Sequence, residues 1–242
     1  MSSRIMKTIL LQVLLLSCYP VFAQDTSFQA KHKAIFYPYP MYHEHWRSSL
    51  GFNLLTTPED VTGELRVQVP TLDYHVLRRI SDHLVLDGRL FSQVIQNHFS
   101  AGLHWRTPLW NKVYFDAGND VGYWFGILKV SGYNSKASGW LTYPNFSIGF
   151  RTRRDLLITF KGQVSYNLFY KTANGDYKFT STEPYYNGET FTIALEQPFY
   201  NNKHVTLALS SIRNRFYWQT WSQFYRTDRK VFYPQLTVGF IL

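Results

Sequence analysis

Three short spacings in this chain of 242 residues put chemically useful side chains on one face of an extended backbone. Asp73-Tyr74-His75 sets a carboxylate and an imidazole two positions apart, which on a strand point the same way. Such a pair can hold an imidazole as a general base, and it is equally an ordinary structural polar pair. His98 and Ser100 stand in the same relation, with Asp120 as a carboxylate within reach from the next strand. That set supplies a base and a nucleophile for acyl transfer, but no oxyanion donor accompanies it. His43-Glu44-His45 can turn two imidazoles to one side, yet two ligands do not close a metal site and no further ligand cluster is apparent. No glycine-rich phosphate loop is present. These residues assign no catalytic role, no metal ligand and no cofactor.

A fourth set is larger. Asp87, Arg89, His98, His104, Asp116 and Asp120 meet only if the stretch from 83 to 125 folds as adjacent antiparallel strands with these side chains on one face. Pairing about turns near 96 and 109 sets Asp87 opposite His104, Gln93 opposite His98, and His98 opposite Asp120. It also sets Arg89 and Asp116 on either side of Gly102, with Tyr114 and Trp124 on the same face. A hydrogen-bonded polar cluster of this kind is tolerable inside a protein only if its charges are paired.

The elements that would position these groups begin after residue 23. Arg4 and Lys7, the apolar run Ile9 to Leu16 and the small-residue site Val21-Phe22-Ala23 read as a secretory signal over 1–23. The run is too short for a membrane-spanning helix, which needs roughly 20 residues. Leu15-Leu16-Ser17-Cys18 fits a lipidation box loosely, so lipidation at Cys18 stays open. Cleavage after Ala23 removes the single cysteine, leaving no disulfide and no thiolate metal site. The whole chain carries 25 Lys and Arg against 16 Asp and Glu, a net charge of +9. Loss of Arg4 and Lys7 reduces it to +7. Aromatic residues make up 18%, with 18 Tyr and 19 Phe, more than one soluble core of this size requires. A bilayer and its interfacial aromatic belts supply the second apolar environment.

The apolar signal has period two. Trp46, Ser48, Leu50, Phe52 and Leu54 alternate with Arg47, Ser49, Gly51 and Asn53. Leu156, Ile158, Phe160, Gly162, Val164, Tyr166, Leu168 and Tyr170 alternate with Thr159, Lys161, Gln163, Ser165 and Asn167, far longer than the average strand of about six residues. Ten strands result, at about 45–55, 62–77, 83–94, 97–106, 112–125, 142–151, 155–171, 188–197, 204–216 and 230–242, with eight or twelve as alternatives. Leu72, Val76, Ile80 and Leu84 also have helical spacing, but Asp87-Gly88 argues for a strand pair across 72–95. At Pro70 the apolar phase shifts from Leu65, Val67 and Val69 to Leu72, Tyr74 and Val76, which predicts a bulge. Connections near 78–82, 107–111, 152–154 and 198–203 are short, and those at 126–141, 172–187 and 217–229 are long.

The chain ends in Phe232, Pro234, Leu236, Val238, Phe240 and Leu242 on one face, against Tyr233, Gln235, Thr237 and Gly239. This amphipathic terminal strand resembles that of the outer-membrane β-barrels of Gram-negative bacteria. The usual terminal residue there is aromatic, and here it is Leu242. The resemblance implies an all-β fold: an antiparallel transmembrane barrel with short periplasmic turns, longer extracellular loops and both termini in the periplasm. It implies a periplasmic segment over 24–44, a barrel domain over 45–242, and the barrel-insertion machinery as a partner during biogenesis. Trp105, Trp110, Phe199 and Tyr200 are then expected at an inner girdle, and Tyr123, Trp124, Tyr143, Tyr170, Phe216, Tyr217 and Trp218 at an outer one.

Within that class, Asp73-Tyr74-His75 resembles the Asp-x-His element of omptin-like proteases, but it falls towards the periplasmic end and no Asp-x-Asp partner exists. His98 and Ser100 are similar to the His and Ser of lipid A-modifying barrels. Arg78, Arg79, Arg106, Lys112, Arg151, Arg153, Arg154 and Lys203 lie at the short turns. Arg213, Arg215, Arg226, Arg229 and Lys230 lie about the last long loop. Cations at both rims suit the phosphates of phospholipid and lipopolysaccharide. Nucleic acid is not an expected partner of such a chain. Three functions remain: a structural, adhesive or narrow-channel envelope protein; an outer-membrane enzyme acting on lipid or peptide; and a secreted soluble barrel holding an apolar ligand.

Overall fold

The computed structural model describes residues 33–58, 67–130, 133–175, 177–199, 203–221 and 229–242. The expected signal segment with its cleavage site and Cys18 lies outside the described residues, as do Leu65, Tyr200 and Arg226.

Alternating residues produce strands β1 (Trp46–Thr57), β2 (Val67–Arg79), β3 (Leu84–Ser92), β4 (Gln96–Trp110), β5 (Val113–Val130) and β6 (Tyr133–Arg151). They continue as β7 (Leu157–Asn174), β8 (Tyr177–Ser181), β9 (Tyr186–Pro198), β10 (His204–Asn214) and β11 (Val231–Ile241). Every neighbouring pair is antiparallel, β7 pairs with β9, and β11 returns to pair with β1. Ten strands therefore close a barrel with no free edge along its wall. β8 is an eleventh, short strand that pairs only with the upper part of β7.

The outer surface is apolar. Phe52 is 61% exposed and Leu209 59%, and Leu103, Phe146, Phe232 and Phe240 are exposed beside them. The inner surface is polar and buried, with Asn53, Thr71, Thr159, Thr192, Ser210 and Thr237 facing inward. This is the reverse of a soluble protein and the arrangement of an outer-membrane β-barrel. Phe160 stands on the outer face of β7, so Phe160→Arg is expected to cost about 2–4 kcal/mol if the residue sits at mid-bilayer. Lys161→Ala, on the inner face, should escape this lipid penalty. Urea unfolding in lipid vesicles distinguishes the two; equal effects would mean that the register of β7 is wrong.

Three details differ from the sequence reading. The stretches 126–141 and 172–187 are largely paired: β5 and β6 continue to Val130↔Tyr133, and β7 runs to Asn174 before β8 turns back. Both hairpins rise above the rest of the wall. At Pro70 the β1–β2 register runs through without a shift, Leu54 facing Pro70. The change of apolar phase has another cause, because Val69 points inward onto an apolar cluster inside the barrel. The irregularities lie instead at Pro108/Trp110 in β4, at Trp140/Leu141 between β6 and β7, and at Ser165/Tyr166 between β7 and β9. The second sets Asn167 opposite Leu141 and Phe169 opposite Trp140, so Leu168 is the extra residue. Beyond it the faces exchange, and Tyr170 points into the barrel rather than to lipid.

Candidate functional site in the barrel lumen

The inner faces of β2 to β5 bring the charged residues together. His75 Nε2 lies 2.7 Å from Asp87 Oδ1. Arg89 donates to both oxygens of Asp73, at 2.9 and 2.7 Å, the two-pronged geometry that favours arginine for this pairing. His104 sits between two carboxylates, Nδ1 at 2.8 Å from Asp116 and Nε2 at 3.0 Å from Asp120. Arg106 Nε donates to the other oxygen of Asp116 at 2.9 Å, and Asn145 Nδ2 donates to Asp120 at 2.9 Å. Ionised carboxylates only accept, so His104 must donate from both nitrogens unless one carboxyl keeps its proton.

Glycines on the same face make the room. A Cβ at Gly118 would lie 2.6 Å from the His104 ring, and one at Gly102 would collide with the Asp120 carboxylate and the Asn119 carbonyl. His104 and Asp120 thus occupy space left by neighbouring glycines.

Asp87, Arg89, His98, His104, Asp116 and Asp120 all face the lumen, but their partners differ from the expected ones. Asp87 is opposite Gly102, His98 opposite Trp124 and Phe91, and Asp120 opposite Gly102. Gln93 lies in the turn, and Arg89 is opposite Ser100 and pairs with Asp73, not Asp116. The cause is turn placement. The β3–β4 turn is centred on Val94 and Ile95, and the β4–β5 turn on Asn111 and Lys112, the latter at φ 65°. These shifts move partners by two and four positions, both even, so each side chain keeps its face while its neighbour changes. Asp73, His75, Arg106 and Asn145 belong to the network although the sequence reading placed none of them in it.

The reactive sets are not assembled. His98 Nε2 meets Tyr143 Oη at 3.0 Å, while Asp120 is committed to His104 and Asn145, so no carboxylate orients His98 towards Ser100. Asp73 and His75 bond to different residues of β3. Glu44 binds Arg47 at 2.7 Å, and His43 is exposed. Among the described residues no three His, Cys, Asp or Glu side chains are arranged to hold one metal ion; His104, Asp116 and Asp120 bond to one another instead.

Both ends of the lumen are filled. At the short-turn end, residues 34–41 of the N-terminal segment fold into the barrel, with Ala34, Ile35, Tyr37, Tyr39 and Met41 at most 1% exposed. Three successive backbone N–H groups, of Ile35, Phe36 and Tyr37, donate to the Glu196 carboxylate at 2.7 to 3.2 Å. This is a small anion-binding concavity formed by the backbone. Thr206 adds a hydroxyl at 2.9 Å. Arg47 donates to Ala34 O at 2.7 Å and lies 4.6 Å over the Tyr39 ring. Burial pushes the Tyr39 phenol up to about 12, so it stays neutral in the plug.

At the long-loop end the segment after β10 turns inward. Trp218 stacks on His98 at 4.9 Å and Phe216 on Tyr170 at 5.3 Å, with Trp124, Tyr217, Trp221 and Tyr233 buried around them. Gln219 donates to Thr71 at 3.0 Å, and its carbonyl accepts from Gln96 at 2.6 Å. Trp124, Tyr143, Tyr170, Phe216, Tyr217 and Trp218 therefore form a lid inside the barrel, not an outer girdle; of the expected set only Tyr123 faces outward. Between plug and lid remains a polar cavity of about 100 Å³, walled by Phe36 below and Trp218 above. That is room for a few water-sized groups.

No family model matches the chain, and no curated protein matches it. Among solved structures it is similar to the translocator domain of autotransporter NalP from Neisseria meningitidis, at 9% identity and TM-score 0.44, covering 83% of this chain and 89% of that one. It is also similar to the outer membrane protease OmpT from Escherichia coli, at 7% identity and TM-score 0.45, covering 81% and 94%. Ail, the attachment invasion locus protein of Yersinia pestis, aligns at 11% identity and TM-score 0.26, covering 81% and 97%.

Proposed function

We propose that the mature protein is a non-conducting integral protein of the bacterial outer membrane, with a structural or adhesive role carried by its outer hairpins. The observation that carries this reading is the double closure of the lumen, by residues 34–41 at one end and by Phe216 to Trp221 at the other. A wide pore needs a continuous aqueous path, and two packed layers interrupt it. The apolar belt speaks against a soluble ligand carrier, since contiguous exposed apolar surface of this extent needs a lipid environment. An enzymatic role would need a nucleophile and base open to substrate, whereas His75, His98 and His104 are all at most 4% exposed. Solvent and partners meet instead the hairpins above the wall, where Tyr177 is 87% exposed and Phe179 57%.

Reconstitution in planar bilayers tests the reading. Wild-type protein should give no stable single-channel currents at moderate voltage. Large, long-lived steps would replace this reading with that of a porin.

A further inference from the structure

The two projecting hairpins bring four lysines of four adjacent strands to one surface. On the outer face of β5 the residues are Phe115, Ala117, Asn119, Val121, Tyr123, Phe125, Ile127 and then Lys129. A strand rising about 3.3 Å per residue and tilted by about 40° crosses a 25 Å apolar band in roughly ten residues. Phe115 to Phe125 therefore span the band, and Lys129 stands about 10 Å above its outer edge. Register carries this row across the sheet, perpendicular to the tilted strands. Ile127 faces Lys136 on β6, Lys136 faces Ala173 on β7, and Ala173 faces Lys178 on β8. Lys171 lies two residues below Ala173, between Ser138 and Thr180. The exchange of faces at Leu168 is what turns Lys171 outward.

Lys136 and Lys178 flank the small Ala173 and so stand about 10 Å apart, two strand spacings, with Lys171 a further 7 Å or so down the middle strand. All four lysines are exposed. Among the described residues, the paired positions around them on this face are Ile127, Asn134, Ser138, Ala173 and Thr180, none of which is acidic. A surface groove of about 480 Å³ runs between Lys136, Lys171 and Lys178 and the aromatic pair Tyr123 and Phe125 below. Its chemistry is graded along the membrane normal, cationic above and aromatic at the interface.

We propose that this groove binds the phosphorylated glycolipid of the outer leaflet, with Lys136, Lys171 and Lys178 around a lipid A phosphate, Lys129 beside them, and the acyl chains against Tyr123 and Phe125. Three ammonium groups about one small-residue position match a multiply charged headgroup better than a singly charged phospholipid. The proposal rests on the outer-membrane reading above.

The test uses refolded, detergent-solubilised protein and native mass spectrometry, with bisphosphorylated lipid A, dephosphorylated lipid A and phosphatidylglycerol as probes. Wild type should retain bisphosphorylated lipid A. The variant Lys129→Gln/Lys136→Gln/Lys171→Gln/Lys178→Gln should lose at least about tenfold in affinity, and dephosphorylated lipid should bind both proteins weakly. Lys203→Gln, at the opposite end, should bind like wild type. Equal retention by wild type and the quadruple variant overturns the site, and so does equal binding of phosphatidylglycerol and lipid A. Heat-modifiable gel mobility and insertion into vesicles are measured in parallel. A wild-type protein that does not insert would sink the outer-membrane reading itself, whereas an inserted barrel indifferent to lipid A sinks only the site.

Discussion

Asp116→Ala is expected to lower the unfolding free energy by about 3–5 kcal/mol, the usual cost of removing one partner from a buried charge network. Asp116 is 3% exposed and its two oxygens serve different cations, His104 at 2.8 Å and Arg106 at 2.9 Å. Truncation leaves a guanidinium 2% exposed with no carboxylate on its Nε, and leaves Asp120 alone to balance His104. Asp82→Ala, in an exposed turn with a 4.0 Å contact to Arg79, should cost well under 1 kcal/mol. The network also predicts coupling. Arg106→Ala should cost less in the Asp116→Ala background than in wild type, because the second change removes a charge that the first has orphaned. Urea titrations of wild type, the three Asp116 and Arg106 variants and Asp82→Ala in the same vesicles check this. Additive losses, or an Asp116→Ala loss no larger than that of Asp82→Ala, would refute a coupled network.

The parts of the molecule that the sequence revealed are those in which period two meets a simple boundary. The run Leu156 to Leu168 reads directly as one wall of the barrel because lipid outside and polar groups inside impose strict alternation. The same parity placed Asp87, Arg89, His98, His104, Asp116 and Asp120 inside. Their partners were not legible, because pairing depends on where a two-residue turn closes, and Val94-Ile95 and Asn111-Lys112 carry no strong turn chemistry beyond the asparagine. The bulge at Leu168 was hidden for a related reason: Leu168, Phe169 and Tyr170 are all apolar or aromatic, so a change of face leaves no break in the pattern. The lid was misread as girdle because composition cannot distinguish an aromatic residue facing lipid from one facing other aromatics. Lys136 falls in a stretch that reads as a loop, and Lys171 ends a strand whose phase puts it on the inner face. Residues 34–41 have no periodicity at all, and their anchor, Glu196, is about 160 residues away.

That anchor gives the most local of the large expected effects. Glu196→Ala should release residues 34–41 from the lumen while the ten-stranded wall stays closed. The carboxylate is 1% exposed and accepts four donors, the N–H groups of Ile35, Phe36 and Tyr37 and the Thr206 hydroxyl. Each bond to a charged acceptor contributes about 1.5–3 kcal/mol, and a buried donor left without its acceptor costs about 1–3 kcal/mol. Among the described residues the segment joins the wall covalently at its β1 end, and its other ties there include the Arg47 bond to Ala34 O and the Tyr37 hydroxyl on Lys112 O, so it can relieve that cost by leaving the barrel, where water satisfies the three N–H groups. Undocking therefore caps the penalty, and the wall, whose strands pair with one another and not with the plug, keeps its stability. Amide hydrogen exchange reads this directly. Protection at Ile35, Phe36 and Tyr37 should fall by about 100-fold or more, equivalent to about 2.8 kcal/mol at the usual factor of ten per 1.4 kcal/mol. Amides of β9 and β10 around Glu196 should change little. Glu196→Gln should fall between wild type and Glu196→Ala, because its remaining oxygen can still accept from Ile35, Phe36 and Thr206 while its NH2 faces the N–H of Tyr37. Conductance should stay low in both variants, since the aromatic lid still closes the other mouth. Unchanged protection at residues 35–37 in Glu196→Ala would show that packing of Tyr37 and Tyr39, not the carboxylate, holds the plug.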